Sequence, residues 1–84
     1  MKKIIVTGGQ GFIGSNLVEY LLNKNYFVIN IDKLSYSANP YNIRNFKKNK
    51  NYVFFREDIN NKNKIFNIFK NFKPIAIFNL AAET

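Results

Sequence analysis

Cysteine and histidine are both absent from this chain. Without thiols there is no disulfide framework and no thiolate metal site, and without imidazole the commonest general base and zinc ligand is gone. No metal site is expected. Long apolar runs are missing too, which argues against a membrane span. Thr7 and the glycines that follow it interrupt the apolar start too early for a signal peptide, so the expected location is cytoplasmic.

Acidic side chains are scarce, at five against 13 Lys and Arg, leaving a formal charge of +8. A basic balance invites a nucleic-acid partner, because clustered cations release counterions from phosphates. The lysines are scattered over many segments, however, and only Arg44 to Lys50 is locally dense. A solvated surface explains that distribution better, and no nucleic-acid partner is expected.

What is present is apolar material. With 46% hydrophobic residues, nine Phe and five Tyr, the 84 residues can build a core and are not expected to be disordered. A piece of this size is one small domain at most and leaves much apolar surface uncovered unless something packs on it.

Hydrophobic period sets the order of elements. Lys3 to Thr7 reads as a buried parallel strand running into Gly8-Gly9-Gln10-Gly11. From Phe12 the spacing becomes helical, with Ile13, Leu17 and Leu21 in one row and Gly14, Val18 and Leu22 in the next. Asn25 is the expected left-handed stop. Phe27 to Ile31 is a second strand ending at Asp32; Leu34 to Asn51 reads as a loop with one surface helix from Pro40 to about Phe46.

Tyr52 to Phe55 is a third strand candidate. A helix follows with Ile65, Ile68, Phe69 and Phe72 on its apolar face, capped by Asp58 or Asn60. Pro74 breaks it, and Ile75 to Leu80 is a fourth strand. Alternating strands and helices with short links imply right-handed crossovers and strand order 3-2-1-4. The fold class is α/β: the N-terminal half of a Rossmann-type three-layer parallel sheet.

Gly9-x-Gly11-x-x-Gly14 and Gly8-x-x-Gly11-x-x-Gly14 both match dinucleotide fingerprints, and either register lies between a strand and a helix as the chemistry requires. Gly8 or Gly9 permits a positive φ in the turn; Gly11 lets a diphosphate approach bare backbone; Gly14 lets the helix pack closely. The amides near Phe12 and Ile13 then face the diphosphate with the positive end of the helix dipole behind them. Asp32, at the end of the second strand, is placed to accept hydrogen bonds from both hydroxyls of the adenosine ribose and to repel a 2′-phosphate, which favours NAD over NADP. Lys33 beside it softens that exclusion.

Asp58 and Ile59 follow the third strand. They read either as a capping acid beside a core residue or as an acceptor for the adenine amino group beside a cover for its ring. Ala81 and Ala82 lie just past the fourth strand, at the carboxyl edge where open sheets bind ligands, and ordinary small-residue packing explains them equally well. Glu83 and Thr84 by themselves read as surface residues.

Thr7-Gly8-Gly9-Gln10-Gly11-Phe12-Ile13-Gly14-Ser15-Asn16 resembles the opening of the extended short-chain dehydrogenase/reductase family, which includes sugar-nucleotide epimerases and dehydratases. Asp32-Lys33-Leu34-Ser35-Tyr36 is similar to the segment after the second strand in the branch of 4,6-dehydratases that act on dTDP-glucose. The resemblance spans essentially the whole chain but only the opening portion of a complete enzyme. It implies that residues 1–84 are the N-terminal part of an NAD-binding domain, with catalytic and substrate regions absent from the chain. It further implies that Gly8, Gly11, Phe12, Ile13, Gly14, Asp32, Lys33, Leu34, Ser35, Asp58, Ile59 and Leu80 to Thr84 (Leu80, Ala81, Ala82, Glu83, Thr84) bind NAD, that Thr84 also touches a nucleotide-sugar substrate, and that the full-length protein is a homodimer. Departures from the family pattern are Gln10 for the usual Ala, Ala38 for Gly, and Asn79 for His.

The chemistry the resemblance implies is a lyase reaction on dTDP-glucose, in which C4 is oxidised, water is lost across C5 and C6, and hydride returns at C6. It requires a Tyr-x-x-x-Lys pair and an acid/base pair. The one literal match is Tyr20-x-x-x-Lys24, on the first helix, and it is given no catalytic role. No catalytic residue is therefore expected within the chain, and the 84 residues alone are expected to be inactive. A UDP-sugar 4-epimerase or decarboxylase of the same family shares every glycine and Asp32, and a non-catalytic nucleotide- or RNA-binding module is the alternative of another class.

Overall fold

The computed structural model describes residues 1–33 and 40–80. Strand β1 (Lys3–Thr7) is a run of β-branched residues, four of its five positions buried, as a strand covered on both faces demands. Helix α1 (Phe12–Asn23) follows, then β2 (Phe27–Asp32), a 3₁₀ turn at Pro40–Ile43, β3 (Tyr52–Arg56), α2 (Lys62–Phe72) and β4 (Ala76–Asn79). The four strands form one sheet in the order β3-β2-β1-β4. Every pairing is parallel: Ile5 lies opposite Ile29 and Ile77, and Ile29 opposite Val53. This is the Rossmann-type order expected from right-handed crossovers.

Side chains alternate across the sheet, so it carries two cores. On one face Ile4, Val6 and Val28 meet Val18, Leu21 and Leu22 of α1. On the other, Ile5, Ile29 and Ile31 meet Ile68 of α2, with Ile65, Phe69 and Phe72 packed alongside, the apolar face the spacing had indicated. Each fully buried aliphatic side chain stabilises by about 1.5–3 kcal/mol, and Ile5, Val6, Val18, Val28 and Ile29 are sealed completely.

Helix α1 ends as expected. Asn25 adopts φ 70°, its N–H donates to the Leu22 carbonyl, and the Tyr26 N–H donates to that of Leu21, which is the paired closure of a Schellman motif. Two expectations need correction. The segment from Pro40 is not a surface helix: only Pro40–Ile43 is helical, as a 3₁₀ turn, and Ile43 and Phe46 are 4% and 3% exposed in the first core. The chain turns on from Ile43, the Phe46 N–H donating to the Ile43 carbonyl at 3.1 Å, and Phe46 meets the Tyr52 ring edge-on at 4.8 Å. The cap of α2 is neither Asp58 nor Asn60 but Asn61, whose side chain accepts from the Lys64 N–H, because the two earlier residues are folded into a turn of their own.

Candidate functional site

The site is built where β1 gives way to α1. Three successive amides leave β1, and all three bond to β2. The Gly8 N–H donates to the Ile31 carbonyl at 2.9 Å, the Gly9 N–H to Asn30 Oδ1 at 2.8 Å, and the Gln10 N–H to Asp32 Oδ2 at 3.3 Å. Gly8 takes φ 77°, a conformation in which a side chain would be strained. Of the two glycines the sequence offered for that role, the structure selects Gly8.

After this turn the first N–H to find a helical acceptor is that of Ser15, on the Gly11 carbonyl at 2.8 Å. The amides of Phe12, Ile13 and Gly14 precede it. Gly11 at the N-cap supplies no side-chain bond, and the first turn carries no acidic residue. Among the described residues no side chain of its own caps the positive end of the helix, the arrangement that binds phosphate. Phe12 and Ile13 flank it, 74% and 72% exposed.

The fold makes different demands on two of the glycines there. A Cβ on Gly14 would lie 2.2 Å from the Gly8 carbonyl oxygen and 2.8 Å from Gly9 Cα, so α1 rests directly on the turn. Among the described residues, a Cβ on Gly11 would meet nothing nearer than the Gly8 oxygen at 3.6 Å, and the residue's φ of −71° suits any amino acid. The fold does not ask for a bare residue at Gly11, and the space beside it suits a ligand pressed against the backbone.

Asp32 closes β2 with 5% exposure, and its carboxylate faces the glycine turn through the Gln10 N–H. Lys33 beside it is exposed. Behind the turn stands Asn30, fully buried, whose Nδ2 donates to the Tyr52 hydroxyl at 3.0 Å. Burial pushes the Tyr52 hydroxyl pKa above its ordinary value near 10, the Asn30 bond partly offsets this, and the Asp32 charge adds to it. The unfolded chain thus ionises first, and the stability held by neutral Tyr52 is intact below pH ~10 and is lost as pH rises beyond it. Denaturation midpoints above pH ~10 should fall less steeply in Tyr52→Phe than in the wild type.

Gln10 is 6% exposed, and among the described residues neither Oε1 nor Nε2 of its amide has a hydrogen-bond partner. Its backbone is well tied, since its carbonyl also accepts from Asn42 Nδ2 at 3.2 Å. An enclosed amide with nothing to bond costs about 1–3 kcal/mol. Gln10→Met, similar in length and apolar, should therefore raise stability by about 1 kcal/mol in urea denaturation.

At the carboxyl edge of the sheet, a cleft of about 200 Å³ is lined by Thr7, Ile31, Ile59, Ile65, Phe69, Ile77 and Asn79. It draws in Ile59 and adds Thr7, whose hydroxyl donates to Asn79 Oδ1 across β1 and β4 at 2.5 Å. Ile59 also packs on the second core. Asp58 holds a local turn, its Oδ1 accepting from the Asn60 N–H at 2.9 Å. Leu80 sits at the end of β4, its N–H on the Thr7 carbonyl and its side chain 40% exposed. Leu34, Ser35, Ala81, Ala82, Glu83 and Thr84 lie outside the described residues. Tyr20 and Lys24 meet as a cation–π pair at 5.5 Å, at the end of α1 remote from the glycine turn.

Sequence reasoning overlooked Asn30, Tyr52 and the Thr7–Asn79 bond. A lone amide inside Phe27-Val28-Ile29-Asn30-Ile31 was the available signal, since a buried polar group requires a partner.

The family model described as GDP-mannose 4,6 dehydratase matches residues 5–84. A dTDP-glucose 4,6-dehydratase of Haemophilus influenzae is 51% identical over the whole chain, which covers 25% of that enzyme. Among solved structures, dTDP-glucose 4,6-dehydratase of Bacillus anthracis in complex with NAD superposes with a TM-score of 0.88 at 40% identity, over 99% of this chain and 27% of that one. UDP-glucose 4-epimerase of Thermotoga maritima with UDP-glucose gives 0.80 at 38% identity, over 98% and 25%. The chain spans about a quarter of the length of the curated relatives it matches. The strand order agrees with these likenesses, and the chain belongs to the GDP-mannose 4,6 dehydratase family, among the extended short-chain epimerases and dehydratases.

Proposed function

We propose that residues 1–84 are the N-terminal, NAD-binding part of a sugar-nucleotide 4,6-dehydratase that converts dTDP-glucose to dTDP-4-keto-6-deoxyglucose, its catalytic residues lying in chain outside these 84. The observation that carries the NAD assignment is Gly11, bare where the protein's own packing leaves room for a Cβ, beside a helix start that no side chain caps. In this reading the amides of Phe12 and Ile13 take the diphosphate, and Asp32 takes the adenosine ribose. Ile59 and Leu80 bound the adenine, with Asp58 and Lys33 on its rim; Leu34, Ser35, Ala81, Ala82, Glu83 and Thr84 also bind NAD in this reading, as the family resemblance implies, and Thr84 touches the substrate. Bound there, NAD supplies a reversible hydride acceptor, so that oxidation at sugar C4 can precede loss of water across C5 and C6.

The chain's own contribution is binding and orientation. Asp32 disfavours NADP by facing a 2′-phosphate with a second negative charge. Ile77 and Phe78, in the middle of apolar β4, keep 46% and 40% of their surface exposed, which supports further chain packing over that strand. Assembly as a homodimer and a cytoplasmic location belong to the same proposal; among the described residues no helix is long and apolar enough to cross a membrane.

The dTDP-glucose reading is favoured by the identity to the Haemophilus influenzae dehydratase and by the NAD-bound Bacillus anthracis structure. UDP-glucose 4-epimerisation is the second reading, favoured by the Thermotoga maritima likeness. The complete gene product given dTDP-glucose should release a 4-keto-6-deoxy sugar nucleotide. Inversion at C4 of UDP-glucose without loss of water would establish the second reading instead. Turnover of dTDP-glucose by the purified 84-residue protein would contradict the placement of the catalytic groups.

A further inference from the structure

The turn that carries the diphosphate site is anchored through one side chain whose polarity nothing above explains. Asn30 occupies the centre of β2, fully buried, where a parallel strand ordinarily holds Val or Ile. A buried amide is tolerated only when its polar atoms are paired. Its Oδ1 accepts from the Gly9 N–H at 2.8 Å and its Nδ2 donates to Tyr52 at 3.0 Å.

The orientation of this amide is determined by its neighbours. A backbone N–H can only donate, so Oδ1 must face Gly9, and Nδ2 then needs an acceptor, which the Tyr52 oxygen provides. Tyr52 lies opposite Val28 in the strand register, on the same face as Asn30 and two positions along. The fit is tight: a Cβ on Gly9 would come within 2.4 Å of Asn30 Oδ1.

Asn30 and Asp32 point from the same face of one strand and hold consecutive amides of the turn. The strand therefore sets the spacing between the bare backbone and the acid. We propose that Asn30, satisfied by Tyr52, is a positioning residue for dinucleotide binding: it holds Gly9 so that the amides of α1 and the Asp32 carboxylate reach the diphosphate and the ribose together. This rests on the NAD reading above.

The test compares NAD with adenosine, which carries the ribose and lacks the diphosphate, in titrations of wild type, Asn30→Leu and Tyr52→Phe. Asn30→Leu should weaken NAD at least about tenfold while adenosine stays within about twofold. Tyr52→Phe should weaken NAD about threefold, again sparing adenosine, and it serves as the readout if Asn30→Leu does not fold. Unchanged NAD affinity in the variants, or equal losses for both ligands, would overturn the inference, the second because general destabilisation does not distinguish them. A wild-type protein that binds no NAD would overturn the cofactor reading itself and the inference with it, an outcome recognisable before any variant is made.

Discussion

Gly14→Ala is expected to lower the stability of the protein by about 3 kcal/mol and to remove NAD binding with it. Alanine is the better helix former, worth about 1 kcal/mol in an exposed helix, so propensity alone predicts a gain. Sterics win because the added Cβ would fall 2.2 Å from the Gly8 oxygen and 2.8 Å from Gly9 Cα, both backbone atoms that cannot rotate away. Gly8 and Gly9 are themselves fixed by their bonds to Ile31 and Asn30. The helix must lift, carrying the amides of Phe12 and Ile13 away from where the proposed diphosphate would sit. Urea denaturation should show a lowered midpoint with an unchanged slope, and heating should show a melting temperature down by roughly 15 °C.

Asp32→Ala should weaken NAD at least about a hundredfold, since two hydrogen bonds from ribose hydroxyls to a carboxylate contribute about 1.5–3 kcal/mol each. The same change leaves the Gln10 N–H without its side-chain acceptor, which loosens the turn and adds to the loss. NADP should respond in the opposite sense, because the repelling carboxylate is gone while exposed Lys33 remains. Titration with both dinucleotides should show the preference for NAD collapsing toward parity. A variant that kept the wild-type ratio would place the source of discrimination elsewhere.

The fold was legible because its punctuation is local. β-Branched runs such as Lys3 to Thr7 stop at glycine, α1 stops at an asparagine able to adopt φ 70°, and the order 3-2-1-4 follows from the handedness of the crossovers. The candidate site was legible for the same reason: the glycine spacing and Asp32 act through backbone geometry that spacing encodes. Ile43 and Phe46 were harder to place, because their polar surroundings read as surface and only the folded turns from Pro40 to Phe46 reveal that both are buried. Sequence points to Asp58 or Asn60 as the cap of α2 and passes over Asn61, equally suitable by chemistry; the turn closed by Asp58 and Asn60 leaves the role to Asn61. Asn30 and Tyr52 are far apart in sequence, and their partnership exists only once β2 and β3 pair in register.

The central claim is that bare backbone at the start of α1 receives a diphosphate, and titration of NAD into Gly11→Ala tests it most directly. Among the described residues the nearest atom a Cβ there would meet is the Gly8 oxygen at 3.6 Å, so the denaturation midpoint should correspond to a stability within about 0.5 kcal/mol of wild type. NAD affinity should nevertheless fall at least about tenfold, since the methyl group occupies the space the diphosphate needs. NAD bound by Gly11→Ala as tightly as by the wild type, at equal stability, would contradict the account.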